Sequence, residues 1–180
     1  MVILTGPLAS PTVVDRRRIE TADPGIKGSR QPYHAAEGQP LDKAEKLVNT
    51  CIESSSRLAK GAVQAAIADA GQQGYRIAVA GILTGSGKPI PALDKILVSH
   101  PLLHTAEGEL FRNVIIAACE SCGLAVRTVQ EKVLLAQCPA ILGIPETAVQ
   151  QHLSRIGKAI GSPWRQDEKF ATLVAWMALC

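Results

Sequence analysis

From about Leu41 to Ala70 the chain carries apolar residues at Leu47, Val48, Cys51, Ile52, Leu58, Ala59, Ala62, Val63, Ala66 and Ile67, the period of an α-helix with one buried face. Asp42 beside Pro40 marks its start and Gly71 its stop. A helix this long draws its stability from packing that stripe against other elements. The next segment, Tyr75-Arg-Ile-Ala-Val-Ala-Gly-Ile-Leu83, is a continuous apolar run of strand length, the kind a sheet covers on both faces. A long helix leading into a buried central strand points to an α/β fold.

Val2 to Leu4 and Thr12 to Thr21 read as two further strands, the second led by β-branched Thr12, Val13 and Val14, paired as a hairpin across Gly6 to Pro11. Asp23-Pro-Gly breaks the second strand, and the polar stretch to about residue 40 reads as a mobile or partner-contacting loop in which Tyr33-His34 is the chemically interesting pair. Ala92 to Ser99 predicts a short helix. Thr105 caps the next, which runs to about Cys122 with Leu110, Phe111, Val114, Ile115 and Ala118 inward, and Gly123 ends it. Ala125 to Gln130 is a strand, followed by helices over Lys132 to Leu142, Glu146 to Ile160 and Glu168 to Leu179. The order predicts one α/β domain over residues 1–180, a mixed, roughly five-stranded sheet flanked by helices, with parallel crossovers in its second half.

Composition narrows the function. Aromatic residues are 3% of the chain, too few for the stacking platforms of single-strand nucleic-acid binders. The net charge of +3, densest at Arg16-Arg17-Arg18, falls short of an electrostatic nucleic-acid footprint. Five cysteines, Cys51, Cys119, Cys122, Cys138 and Cys180, are odd in number and lack framework spacing, which suits a reducing compartment. No stretch approaches the roughly 20 apolar residues of a membrane span. The expectation is a soluble cytoplasmic protein without a membrane partner.

Chemistry-bearing side chains crowd into His100-Pro-Leu-Leu-His104-Thr-Ala-Glu107-Gly-Glu109-Leu-Phe-Arg112. On one continuous helix, His100, His104 and Glu107 would all turn toward a metal ion. Pro101 predicts an interruption there, which leaves Glu107 and Glu109 as dipole-complementing acids in the first turn of the Thr105-capped helix. The functional reading sets His104 and Glu107 at a cleft by a strand's carboxyl end, with His34, His100 and Arg112 as further binding candidates. Other motifs read as architecture. Gly81 to Lys88 departs from P-loop spacing, and Pro89 and Pro91 follow it. Cys119-Glu-Ser-Cys122 lies at a helix C-terminus, where thiolates are not activated. His152 reads as a helix-surface residue, and Asp167 as the N-cap of the last helix with Glu168 in its first turn.

From the Glu107 helix onward the chain resembles the ribonuclease H-like fold, and within it the Holliday-junction resolvases. The likeness is carried by Gly-Leu-Ala-Val126 after a helix, then Ala148-Val-Gln-Gln-His-Leu153, then Asp167-Glu-Lys-Phe-Ala-Thr-Leu-Val-Ala175. It implies carboxylates converging on two magnesium ions, with Asp167 matching the first aspartate of the final helix. Phe170 stands where the second should be, and neither Met1 to Thr5 nor Gly81 to Thr84 supplies an acid.

Two functions fit these residues. One is a non-catalytic interaction or scaffold protein on a ribonuclease H-like fold, self-associating through apolar helices such as the Trp176-bearing one, with no cofactor required. The other is a Mg²⁺- or Mn²⁺-dependent phosphodiester or phosphate-ester hydrolase using Glu107, Glu109 and Asp167, with Glu107 and Asp167 on the metal and His104 assisting.

Overall fold

The computed structural model describes residues 1–180. Along the chain run β1 (Val2–Thr5), β2 (Thr12–Arg16), α1 (Pro32–Ala36), α2 (Leu41–Gln72), β3 (Val79–Thr84), α3 (Leu93–Leu97), α4 (His100–Ser121), β4 (Ala125–Gln130), a 3-10 turn, α5 (Leu134–Leu142), α6 (Glu146–Ile160) and α7 (Gln166–Ala178). The chain divides into two compact units. All four strands and α5 to α7 belong to one, built from Met1–Arg18, Ala78–Ser86 and Ala125–Cys180. The other, Ile19–Ile77 with Gly87–Leu124, is helical and holds α1 to α4. No single helix is long and apolar enough to cross a membrane.

The fold is α/β, but the mixed, roughly five-stranded sheet of ribonuclease H-like type is not formed. The strands make two separate two-stranded sheets, antiparallel β1–β2 and parallel β3–β4, and seven α-helices carry most of the structure. Two local causes shorten the strands. β2 stops at Arg16 rather than Thr21 because its pairing with β1 ends at Val2 opposite Arg16, with Arg17 N donating to Met1 O at 3.1 Å just beyond. β3 starts at Val79 rather than Tyr75 because Tyr75 N is claimed by Ala70 O at 2.9 Å, closing the end of α2. Every residue of β3 is half-buried, so the expected strand covered on both faces is not observed.

In the strand-bearing unit α7 is the organising element. Leu173, Val174, Trp176 and Met177 form one core with Leu134, Cys138, Val149 and Leu153, and half-buried Leu4, Leu83 and Val129 pack on it from β1, β3 and β4. The approach to β3 is close because position 81 is glycine. A Cβ there would lie 2.4 Å from the Val174 carbonyl oxygen. Trp176 is buried and donates Nε1–H to Leu8 O at 2.8 Å. His152 is buried as well, which corrects its reading as a surface residue: its ring packs on Trp176 at 4.9 Å and its Nε2 bonds Pro11 O at 3.0 Å. A carbonyl can only accept, so Nε2 carries the proton. Two ring N–H groups thus hold the β1–β2 connection. In α5, Pro139 cannot donate to the carbonyl of Leu135, and the Cys138 thiol takes that acceptor at 3.3 Å.

The helical unit is built on α2 and α4, which pack along each other. Ala44, Val48, Cys51, Ser55, Ala59, Val63, Ala66 and Ala70 are buried on α2 at steps of three or four, and Leu103, Ala106, Leu110, Val114 and Ala118 on α4. All ten residues of the predicted α2 stripe are buried or half-buried.

Gly81→Ala tests the α7 contact. A methyl directed at backbone has no side chain to displace, so a loss of about 1–3 kcal/mol or more is expected in urea unfolding. An unchanged midpoint would contradict the packing described.

Candidate metal centre

The start of α4 decides the geometry. Ser99 is the N-cap, His100 the first helical residue and Pro101 the second. Leu102 N and Leu103 N both donate to Ser99 O, at 2.8 and 3.0 Å. Proline is tolerated in a first turn because its missing N–H would have had no intrahelical acceptor there. Pro101 therefore begins the helix instead of interrupting it. Thr105 is not a cap; its hydroxyl donates to Pro101 O at 2.8 Å from inside the helix. His100 and His104 accordingly stand one turn apart on one face. Their Nε2 atoms are 3.2 Å apart.

The third imidazole comes from the segment read as a loop. Asp23 anchors it: Oδ1 accepts Gly25 N at 2.9 Å, while Oδ2 accepts the Ser54 hydroxyl at 2.8 Å and the Arg57 guanidinium at 3.1 Å, both on α2. These bonds, the Ser54 hydroxyl first, hold the Asp23 carboxyl below its usual value. Gly28 then turns the chain at φ +88°, lying so close to Ala35 that a Cβ would meet its methyl at 2.4 Å. Pro32 opens α1, which buries Pro32 and Ala36 and presents His34 to α4.

Glu107 fastens His34 from below. Its Oε1 accepts both the His34 backbone N–H at 3.2 Å and His34 Nδ1 at 2.9 Å, across 73 residues of sequence. A carboxylate only accepts, so His34 Nδ1 carries the proton of this bond. The Glu107 side chain is 9% exposed, a site where an unanswered charge would be costly. Beside it, burial first and the Glu107 charge second push the Tyr33 phenol up, so it stays neutral. Ring centroids of His34 lie 4.5 Å from His104 and 5.2 Å from His100, with 4.7 Å between the last two. One nitrogen from each ring falls within 4.8 Å of the others. Nitrogen donors around a tetrahedral zinc-class ion at about 2.0–2.1 Å would be roughly 3.4 Å apart, so small side-chain rotations close the tripod. His100 and His104 are exposed.

The other candidates are not members of this group. Glu109, two residues from Glu107, turns away from it and pairs with Arg112 at 3.6 Å. Asp167 belongs to the strand-bearing unit, exposed in the first turn of α7. It is not the N-cap: Arg165 is, and Glu168 accepts Arg165 N at 2.7 Å, which chiefly holds the Glu168 carboxyl low. Cys119 is buried and its thiol is pushed up by burial, with Cys122 half-buried beyond it at the helix end. Cys51 and Cys138 are raised for the same reason. His34 was visible in the sequence as a binding candidate, but its place beside His100 and His104 was not. The legible signals were Pro32 and Pro101, each opening a helix.

Comparison with family models, curated proteins and solved structures finds no match.

Two measurements check this account of the site and its surroundings. The depressed Asp23 carboxyl stabilises the fold above its unfolded value, and that contribution is lost as pH falls through the lower folded value. Asp23→Ala should therefore lower stability at neutral pH, with the deficit closing as pH drops below 3.8. A pH-independent deficit would contradict the assignment. Iodoacetamide on the native protein should modify Cys122 and Cys180 readily, and Cys51, Cys119 and Cys138 only on unfolding. Rapid native labelling of Cys119 would contradict its burial.

Proposed function

We propose that this protein binds one first-row transition-metal ion of the zinc class through His34, His100 and His104. The observation that carries the reading is the meeting of three imidazole nitrogens within 4.8 Å, one of the rings being braced by a buried carboxylate. A histidine whose second nitrogen donates to a carboxylate is fixed in tautomer and orientation and is a more basic ligand. Glu107 performs that service for His34. Imidazole donors favour Zn²⁺, Cu²⁺, Ni²⁺ or Fe²⁺ over Mg²⁺, which prefers oxygen ligands. The donor set therefore moves the metal from the Mg²⁺ or Mn²⁺ expected of a carboxylate site to the zinc class. Glu107 keeps a role in it as a positioning residue, and Glu109, Arg112 and Asp167 have none.

Isothermal titration of the metal-free chain with Zn²⁺ should give about one site per chain. Glu107→Gln should weaken it by about 10–100-fold, as loss of a bracing carboxylate does, and His104→Ala by more. His104 is exposed, so its truncation leaves the core intact. Mg²⁺ should not compete. Undiminished zinc binding in His104→Ala would refute the site.

A further inference from the structure

We infer that the metal ion held here activates water for the hydrolysis of small carbonyl esters, an inference that rests on the metal-binding reading above. Structural zinc sites are closed by four protein ligands, whereas hydrolytic ones keep a vertex for water. Here the ligand group is His34, His100 and His104 alone. The Glu107 carboxylate is bonded to His34 Nδ1 and is not part of the group of three. Two of the three ligands are exposed and no fourth His, Cys, Asp or Glu joins the group, so a tetrahedral ion held here would keep one position for water.

Charge supports the same conclusion. Three neutral imidazoles leave the full dipositive charge on the ion, and such an ion lowers the pKa of bound water from 15.7 to about 7. A metal-bound hydroxide is then available near neutral pH. In the step inferred, a water O–H bond breaks and its proton passes to solvent. The hydroxide oxygen forms a bond to the carbonyl carbon, and the ion steadies the negative charge on the carbonyl oxygen. The bond to the alcohol oxygen then breaks, that oxygen leaves with the electron pair and takes a proton from water. Ester and water become acid and alcohol, with nothing oxidised or reduced.

The single ion selects the substrate class. Phosphodiester cleavage commonly uses two ions about 3.5–4 Å apart to steady both the attacking and the leaving oxygens. One cluster of three metal-capable side chains is present, which suits the single developing oxyanion of acyl transfer.

The test uses the full chain with 4-nitrophenyl acetate as probe, metal-free and loaded with Zn²⁺, and zinc content measured on every sample. The loaded protein should hydrolyse the ester at least roughly tenfold faster than the metal-free protein, and His104→Ala should show no zinc-dependent gain. In a Co²⁺-loaded sample, azide should shift the visible bands by entering the open position. Stoichiometric zinc without acceleration would overturn the hydrolytic inference and leave the metal site standing. Acceleration that survives in His104→Ala would place the reaction elsewhere and also overturn it. Failure to bind zinc at all would overturn both.

Discussion

The helical unit is organised around one buried carboxylate. Glu107 lies on the inner side of α4 among Leu103, Ala106 and Leu110, where a charge must be answered locally or forfeit more free energy than a small unit can spare. His34 answers it twice, through its backbone and its ring. That pair of bonds sets the position of α1 on α4 and the tautomer of His34 at once. The Asp23 network performs the matching task at the start of the same segment, tying it to Ser54 and Arg57 of α2. The proposed metal site therefore depends on a segment that looks, by composition, like a loop, and that two carboxylates hold at either end.

How much of this could be read from the amino acids depended on whether the signal was local. The α2 stripe was legible because period and burial coincide along its whole length. Likewise, the buried thiol of Cys119 agrees with the reading of Cys119-Glu-Ser-Cys122 as architecture. Strand extent was less legible. Tyr75 to Ala78 are as apolar as a strand requires, but the backbone of Tyr75 is used to close α2, and no composition signal records that competition. The separation of the strands into two pairs is likewise a matter of hydrogen-bond partners, which alternation patterns do not specify. The same limit explains why the expected order of elements did not translate into one sheet.

Pro101 shows how one residue can invert a functional reading. As a breaker it separates His100 from His104; as a first-turn residue it sets them on one face. The two cases differ by a single position relative to the N-cap, and Ser99 settles it by accepting the N–H groups of Leu102 and Leu103. With Pro101 inside the first turn, the proposed site gives the leading role to the imidazoles of the segment. The chemistry implied changes accordingly, from hard oxygen ligands to nitrogen ligands.

The central claim is a three-imidazole ion site with an open vertex. X-ray absorption at the zinc edge of the stoichiometrically loaded protein reports it directly. The account predicts three imidazole nitrogens and one light solvent-derived atom, all at about 2.0–2.1 Å, with one imidazole lost in His34→Ala. A sulfur shell at about 2.3 Å, or a six-oxygen shell insensitive to all three histidine substitutions, would contradict it.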